Sequence, residues 1–202
     1  MDGSASITEP ASVVGGPRRA PPLPVAFVAG AAGPWRIERI EAACGADLPP
    51  AGRLAVIEAA PVPAPEAAWT LRGVTSNTRY TTRAEAGALA ASQEGLRRPQ
   101  ATCAALIPIR KSDVWWALAQ DERRAIFEEQ SRHVAIGLDY LPAVARRLHH
   151  SRDLDEPFDF LTWFEYAPGH AADFEAMVAR LRASPEWRYV EREVDVRLTR
   201  AP

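Results

Sequence analysis

Residues 158–198 run strand, helix, strand, and that order constrains the chain more than any other feature. FDFLTWFEYAP (158–168) and VEREVDVRL (190–198) read as strands, the second with Val194, Val196 and Leu198 alternating on one face. Between them AADFEAMVARLRAS (171–184) places Phe174, Met177, Val178 and Leu181 at helical spacing. The same alternation occurs upstream, which predicts an α+β antiparallel sheet with helices on one face, in the split βαβ style, from two related halves.

Upstream, VAFVAG (25–30), RLAVIEAAPV (53–62), AWTLRGVTS (68–76) and ATCAALIPIRK (101–111) read as strands, with PAPEA (63–67) a proline-punctuated connection. TTRAEAGALAASQEGL (81–96) reads as a helix: Thr82 and Glu85 have capping-box spacing, and Gly95 with Pro99 supplies a stop. DVWWALAQDERRAIFEEQSRHVAIGLDYL (113–141) carries helical spacing up to Pro142. Residues 1–23, rich in Ser, Gly, Pro and Ala, are expected to form a flexible tail. The halves are expected over 24–100, abbreviated, and 101–202.

With 202 residues, 47% of them hydrophobic, the chain can bury a real core. A formal net charge of −2 gives no reason to propose nucleic acid or an anionic membrane as the main partner. Cys44 and Cys103 lack metal-ligand spacing and suggest no disulfide framework. The first residues lack the pattern of a secretory signal and no stretch approaches a membrane span, so the expected location is the cytoplasm.

Three of the four histidines fall within SRHVAIGLDYLPAVARRLHH (131–150). On a continuous helix, Ile126, Gln130, His133, Gly137 and Tyr140 form one stripe, so His133 is expected to face inward, either as a buried histidine satisfied by the backbone or as a ligand. Gly137 leaves that face bare, as a flat ligand would require. His149 and His150, in a basic run with Arg146, Arg147 and Arg152, read as a solvated helix end, and His170 as a surface residue. Lys111 at a strand end beside Trp115 and Trp116 suits the wall of a pocket for an anionic planar ligand, although the tryptophans equally fit a division between core and surface. SNTRYTTR (76–83) offers groups suited to carboxylates, or a polar turn. The chain has no phosphate loop, metalloprotease helix or nucleophile elbow.

Taken in order, GVTSNTRY, SQEGL, AALIPIRKSDVWWALAQDERR, SRHVAIGLDYLPAVARRLHHSRDL, FDFLTWFEYAP and EWRYVEREVDVRL resemble the chlorite dismutase family, particularly its short, dimeric branch, over about residues 54–198. The resemblance implies a ferredoxin-like fold of the dimeric α/β barrel superfamily, a homodimer, and haem b as cofactor in the C-terminal half. It further implies conversion of chlorite to chloride and dioxygen, with the hypochlorite fragment retained until the O–O bond forms. His133 then matches the proximal iron ligand, Arg146 the mobile distal arginine and Gln93 a distal glutamine. Lys111, Trp115 and Trp116 match the proximal side and haem edge, and Asn77 and Tyr80 the segment meeting the propionates. Glu165 is the candidate carboxylate for the free N–H of His133, with Glu175 and Glu186 as competitors.

Two rivals stand beside this reading. A coproheme decarboxylase would use the porphyrin as substrate, against which Arg146 argues. A haem-free binding or stress protein of related fold would share the architecture without the chemistry.

Overall fold

Eight strands, every neighbour antiparallel, close into a barrel in this computed structural model, which describes residues 22–58, 65–75 and 79–200. They are β1 (Pro24–Gly30), β2 (Trp35–Cys44), β3 (Arg53–Glu58), β4 (Trp69–Thr75), β5 (Cys103–Lys111), β6 (Ala145–His150), β7 (Phe160–Tyr166) and β8 (Val190–Arg200). Around the barrel they follow the order β1-β3-β2-β8-β5-β7-β6-β4. The first four therefore lie fourth, first, third, second, and the last four repeat that order. The expected sheet is present, closed on itself. Most of the tail expected over 1–23, and residues 59–62 of the strand expected over 53–62, lie outside the described residues, while β2 is a strand the sequence reading did not include.

Strand alternation divides the core in two. Val25, Phe27, Ala29, Leu54, Leu71, Ala104, Leu106, Leu161, Trp163, Val194, Val196 and Leu198 fill the barrel. On the opposite face of β5 and β7, Ala105, Ile107, Ile109, Phe164 and Tyr166 pack against Phe174, Met177, Val178 and Leu181 of a helix connecting β7 to β8. That helix, α5 (Ala171–Arg182), has the predicted apolar face. Helix α1 (Arg83–Ser92) crosses from β4 to β5, and Thr82 with Glu85 closes the predicted capping box. Only a turn joins β1 to β2, so the helices cover the second half alone.

The long helix expected over 113–141 is broken into α2 (Asp113–Ala117), α3 (Gln120–Arg124), a π-helical turn (Ala125–Gln130) and α4 (His133–Asp139). Extended backbone at Leu118 separates the first two, and left-handed Arg132 (φ 53°) ends the π turn. Spacing of apolar residues survives such breaks, which is why it reads as one helix.

Residues 145–150, expected to be a solvated helix end, form β6. His149 and His150 are buried, at 0% and 6% exposure. Arg147 and His149 face the barrel interior, where His149 meets the edge of Phe27 and bonds the Leu161 carbonyl at 3.0 Å. Gly73 on β4 makes the closure possible: a Cβ there would sit 2.7 Å from that of His149. β4 pairs with β6 only at Val74–His150 and Thr75–His149. No helix among the described residues is long and apolar enough to cross a membrane.

Burial pushes both imidazoles from 6.5 down to about 4. The folded chain thus keeps them neutral where the unfolded chain takes up protons, so their contribution to stability is complete above pH 6.5 and lost as pH falls toward 4. Denaturant unfolding should show stability falling by on the order of 2 kcal/mol per imidazole between pH 6.5 and 5. In His149→Gln that pH slope should be about halved; an unchanged slope would contradict the assignment.

Candidate functional site

The break at Arg132 makes His133 the first residue of α4. Glu128, from the π turn, accepts the Val134 and Ala135 amides at 2.6 and 3.3 Å and so caps the new helix. The imidazole stacks on Phe127 at 4.3 Å and lies parallel to Trp187 at 6.4 Å. Its Nδ1 is 2.7 Å from Glu186 Oε2. Lys111 Nζ donates to the other Glu186 oxygen, also at 2.7 Å, and lies over the rings of Trp115 and Trp187. Glu186 stands on the 3₁₀ turn Pro185–Tyr189, with its amide donating to the Ser131 hydroxyl at 2.9 Å.

Burial alone would raise the Glu186 carboxyl, but His133 and Lys111 hold it down at about 2. It is therefore a carboxylate at neutral pH, an acceptor that the histidine's Nδ1–H can face, which leaves Nε2 as the ring nitrogen directed away from the pair. The partner expected from the sequence, Glu165, does something else. On the inward face at the end of β7, it accepts the Trp163 indole N–H at 2.9 Å and the Arg97 amide at 2.5 Å. Glu175 bonds Arg197. The carboxylate on His133 is Glu186.

Beside this triad lies a cavity of about 440 Å³. Its walls are mostly apolar: Leu89 and Ala90 of α1, Ile109 of β5, Leu148 and Phe160 of the sheet, and Phe127, Trp115 and Trp187 around the imidazole. Of the predicted residues it brings together His133, Lys111, Trp115, Tyr80, Gln93 and Arg146. Trp116 stands behind the wall, stacked on Phe160 and donating to Asp159 at 3.2 Å. Asn77 lies outside the described residues. Tyr80, left-handed at φ 59°, sets its ring edge-on to Trp115 and accepts from Arg123 at 3.1 Å. The buried Trp115 N–H has no hydrogen-bond partner among the described residues.

Arg146 projects from the outer face of β6, opposite Phe164. Burial lowers the proton affinity of its guanidinium, and no carboxylate among the described residues offsets this; an arginine nonetheless stays cationic. The space bared by Gly137 belongs to this side chain: a Cβ there would lie 2.7 Å from Arg146 Nη1. Gly137 is one helical turn from His133, so α4 presents the imidazole and the resting place of the guanidinium along one face.

No group of three or more His, Cys, Asp or Glu gathers among the described residues. His133 and His150 both line the cavity, but His133 alone has a buried carboxylate on its other ring nitrogen, and one such imidazole at a mostly apolar wall suits a metal already held by its own macrocycle better than a bare ion. Chemically, then, the site joins a metal donor, His133, kept electron-rich by a buried carboxylate, to a guanidinium, Arg146, able to hold a small anion.

Comparison with known proteins places the chain. The family model described as chlorite dismutase matches residues 57–201, and the chain belongs to that family. A dimeric chlorite dismutase from Nitrobacter winogradskyi is 55% identical, covering 88% of this chain and 99% of that one, with a TM-score of 0.82. A chlorite dismutase structure from Candidatus Nitrospira defluvii is 30% identical over 68% of this chain and 56% of its own, with a TM-score of 0.54. The chlorite dismutase of Ideonella dechloratans is 34% identical over 84 residues, 42% of this chain. That match spans only 27% of the relative's length.

Lys111→Met should destabilise the fold by about 3–5 kcal/mol in urea unfolding, because Glu186 stays buried with one partner fewer; a loss under about 1 kcal/mol would show that Glu186 does not depend on the lysine. Gly137→Ala, by contrast, should leave stability within about 1 kcal/mol, since the new methyl meets only the far end of a flexible side chain and alanine favours the helix. Its crystal structure should show Arg146 displaced.

Proposed function

We propose that this chain is a haem b-dependent chlorite dismutase, converting chlorite to chloride and dioxygen, and that it works as a homodimer. The observation that carries the reading is the His133–Glu186 pair at the wall of a mostly apolar cavity, one helical turn from a guanidinium with no acidic partner among the described residues. The family and the dimeric relative support it. The repeated strand order supports reading the barrel as two ferredoxin-like units, the second bearing the cofactor site, as in the dimeric α/β barrel superfamily.

When bound, haem b supplies the iron at which the Cl–O bond of chlorite is broken and dioxygen is formed. Nε2 of His133 would hold that iron. Glu186 keeps the imidazole's other nitrogen hydrogen-bonded, which fixes the tautomer and makes Nε2 a stronger donor. Lys111 keeps Glu186 anionic and in place. Trp115 and Tyr80 would meet the edge of the macrocycle.

Arg146 binds and orients the small oxyanion, and holds the chlorine-bearing fragment so that it is not lost to solvent. A permanently charged, multi-donor group does this better than water against mostly apolar walls. It moves no proton. Gln93, at the C-terminus of α1, lines the same end of the cavity and offers an amide to the anion or to the guanidinium.

Reconstitution with hemin should give a Soret band in the wild type and none attributable to histidine ligation in His133→Ala. Arg146→Ala should keep its haem while chlorite-dependent oxygen release falls about 10- to 100-fold, the loss of one charge-assisted contact of roughly 1.5–3 kcal/mol. Full oxygen release without Arg146 would refute its role.

A further inference from the structure

Arg146 and Gln93 border a second, open groove of about 340 Å³, whose other walls are Glu58, Leu96, Arg97 and Arg147. Arg147 also lines the inner cavity, so the two spaces meet where these three residues stand. Neighbouring residues of β6 point to opposite faces, Arg146 outward opposite Phe164 and Arg147 inward opposite Trp163, and both side chains border the two spaces.

Three guanidinium groups and one carboxylate line the groove, a local positive excess in a chain whose formal net charge is −2. The arrangement is built from several sides. Arg147 donates to His149 Nε2 at 3.2 Å and to Glu58 at 2.7 Å, so it is tethered from below and in front. The segment after α1 crosses the barrel end, with Leu96 packed on the interior core. There Arg97, left-handed at φ 67°, is held by the bond from its amide to Glu165. Its side chain reaches back to Glu58 at 2.9 Å while remaining 68% exposed. Glu58 therefore joins a fixed arginine to a movable one. Burial alone would raise its carboxyl, but Arg147 and Arg97 hold it below the usual range, so it is anionic at neutral pH.

We propose that this groove is the port by which an anionic substrate reaches Arg146, and that Glu58, by clamping Arg97 against Arg147, limits how strongly the port draws anions in. The proposal rests on the reading of the inner cavity as an anion-converting site and names its route and its attenuator. Three cations in a row give a potential that favours a small anion at each step inward. Without the carboxylate, Arg97 and Arg147 would turn their donors to the anion. With it, the port passes anions without trapping them.

The test uses nitrite, a bent dioxyanion like chlorite, mixed with haem-loaded protein in a stopped-flow instrument. At about 20 mM salt, Glu58→Gln should raise the association rate about three- to tenfold and Arg97→Glu should lower it by a similar factor, with both differences collapsing near 0.5 M salt. A second readout needs no haem. Trp115 and Trp187 line the inner cavity, so quenching of tryptophan fluorescence by iodide should rise in Glu58→Gln and fall in Arg97→Glu, while quenching by neutral acrylamide stays unchanged. Association rates equal to wild type in both variants, or changes that persist at high salt or extend to acrylamide, would overturn the port. Arg97 is exposed, so its variant folds even where Glu58→Gln does not. If the wild type takes up no haem, the proposed function falls, and the iodide result alone decides whether anions enter here.

Discussion

A buried carboxylate between two donors organises the molecule. Removing Glu186 from water costs several kcal/mol, and two short charge-assisted bonds, one from Lys111 and one from His133, offset it. Those partners come from the end of β5 and the start of α4, while Glu186 belongs to the turn that leads into β8. Three segments far apart in sequence are thereby fixed at one point, with the cavity beside it. The same contacts decide the imidazole's tautomer, so what stabilises this corner of the fold also prepares its donor atom.

The surrounding backbone is irregular where the site needs it. Tyr80, Arg97 and Arg132 are non-glycine residues with positive φ, and each flanks the cavity or its port. Such residues persist only where their neighbours hold them, and each is held or bounded by a named contact: Arg124 on the Tyr80 carbonyl, Glu165 on the Arg97 amide, Glu128 capping the helix that Arg132 begins. A regular helix over 113–141 would have been simpler to fold. The break is what sets His133 at a helix start, facing Glu186.

Charge is distributed with a similar division of labour. The triad side pairs one buried carboxylate with one buried cation, Lys111, and with the partly exposed imidazole of His133. Across the cavity, Arg146 has no acidic partner among the described residues, and Glu58, which borders the same groove, is paired with Arg97 and Arg147. An anion entering this space therefore meets an unsatisfied cation, and the apolar walls between the two ends strengthen that attraction.

Much of this was legible locally. Alternation gave most of the strands, Thr82 and Glu85 marked the start of α1, and the spacing around His133 pointed it inward, because each signal lies within a turn or a pleat of the chain. The ordered motifs identified Arg146 and Gln93 as belonging with it. The partner of His133 was another matter: the motifs favoured Glu165 over Glu175 and Glu186, and Glu186, which makes the contact, lies 53 residues away. Likewise the run around His149 has the composition of a basic helix end, and only pairing with β7 and β4 draws it into the barrel as β6. Sequence alone determined which elements and which chemical groups this protein possesses; the closure of the barrel decided which carboxylate meets the imidazole and which arginines face the cavity, since pairing across long separations depends on space that only the folded chain defines.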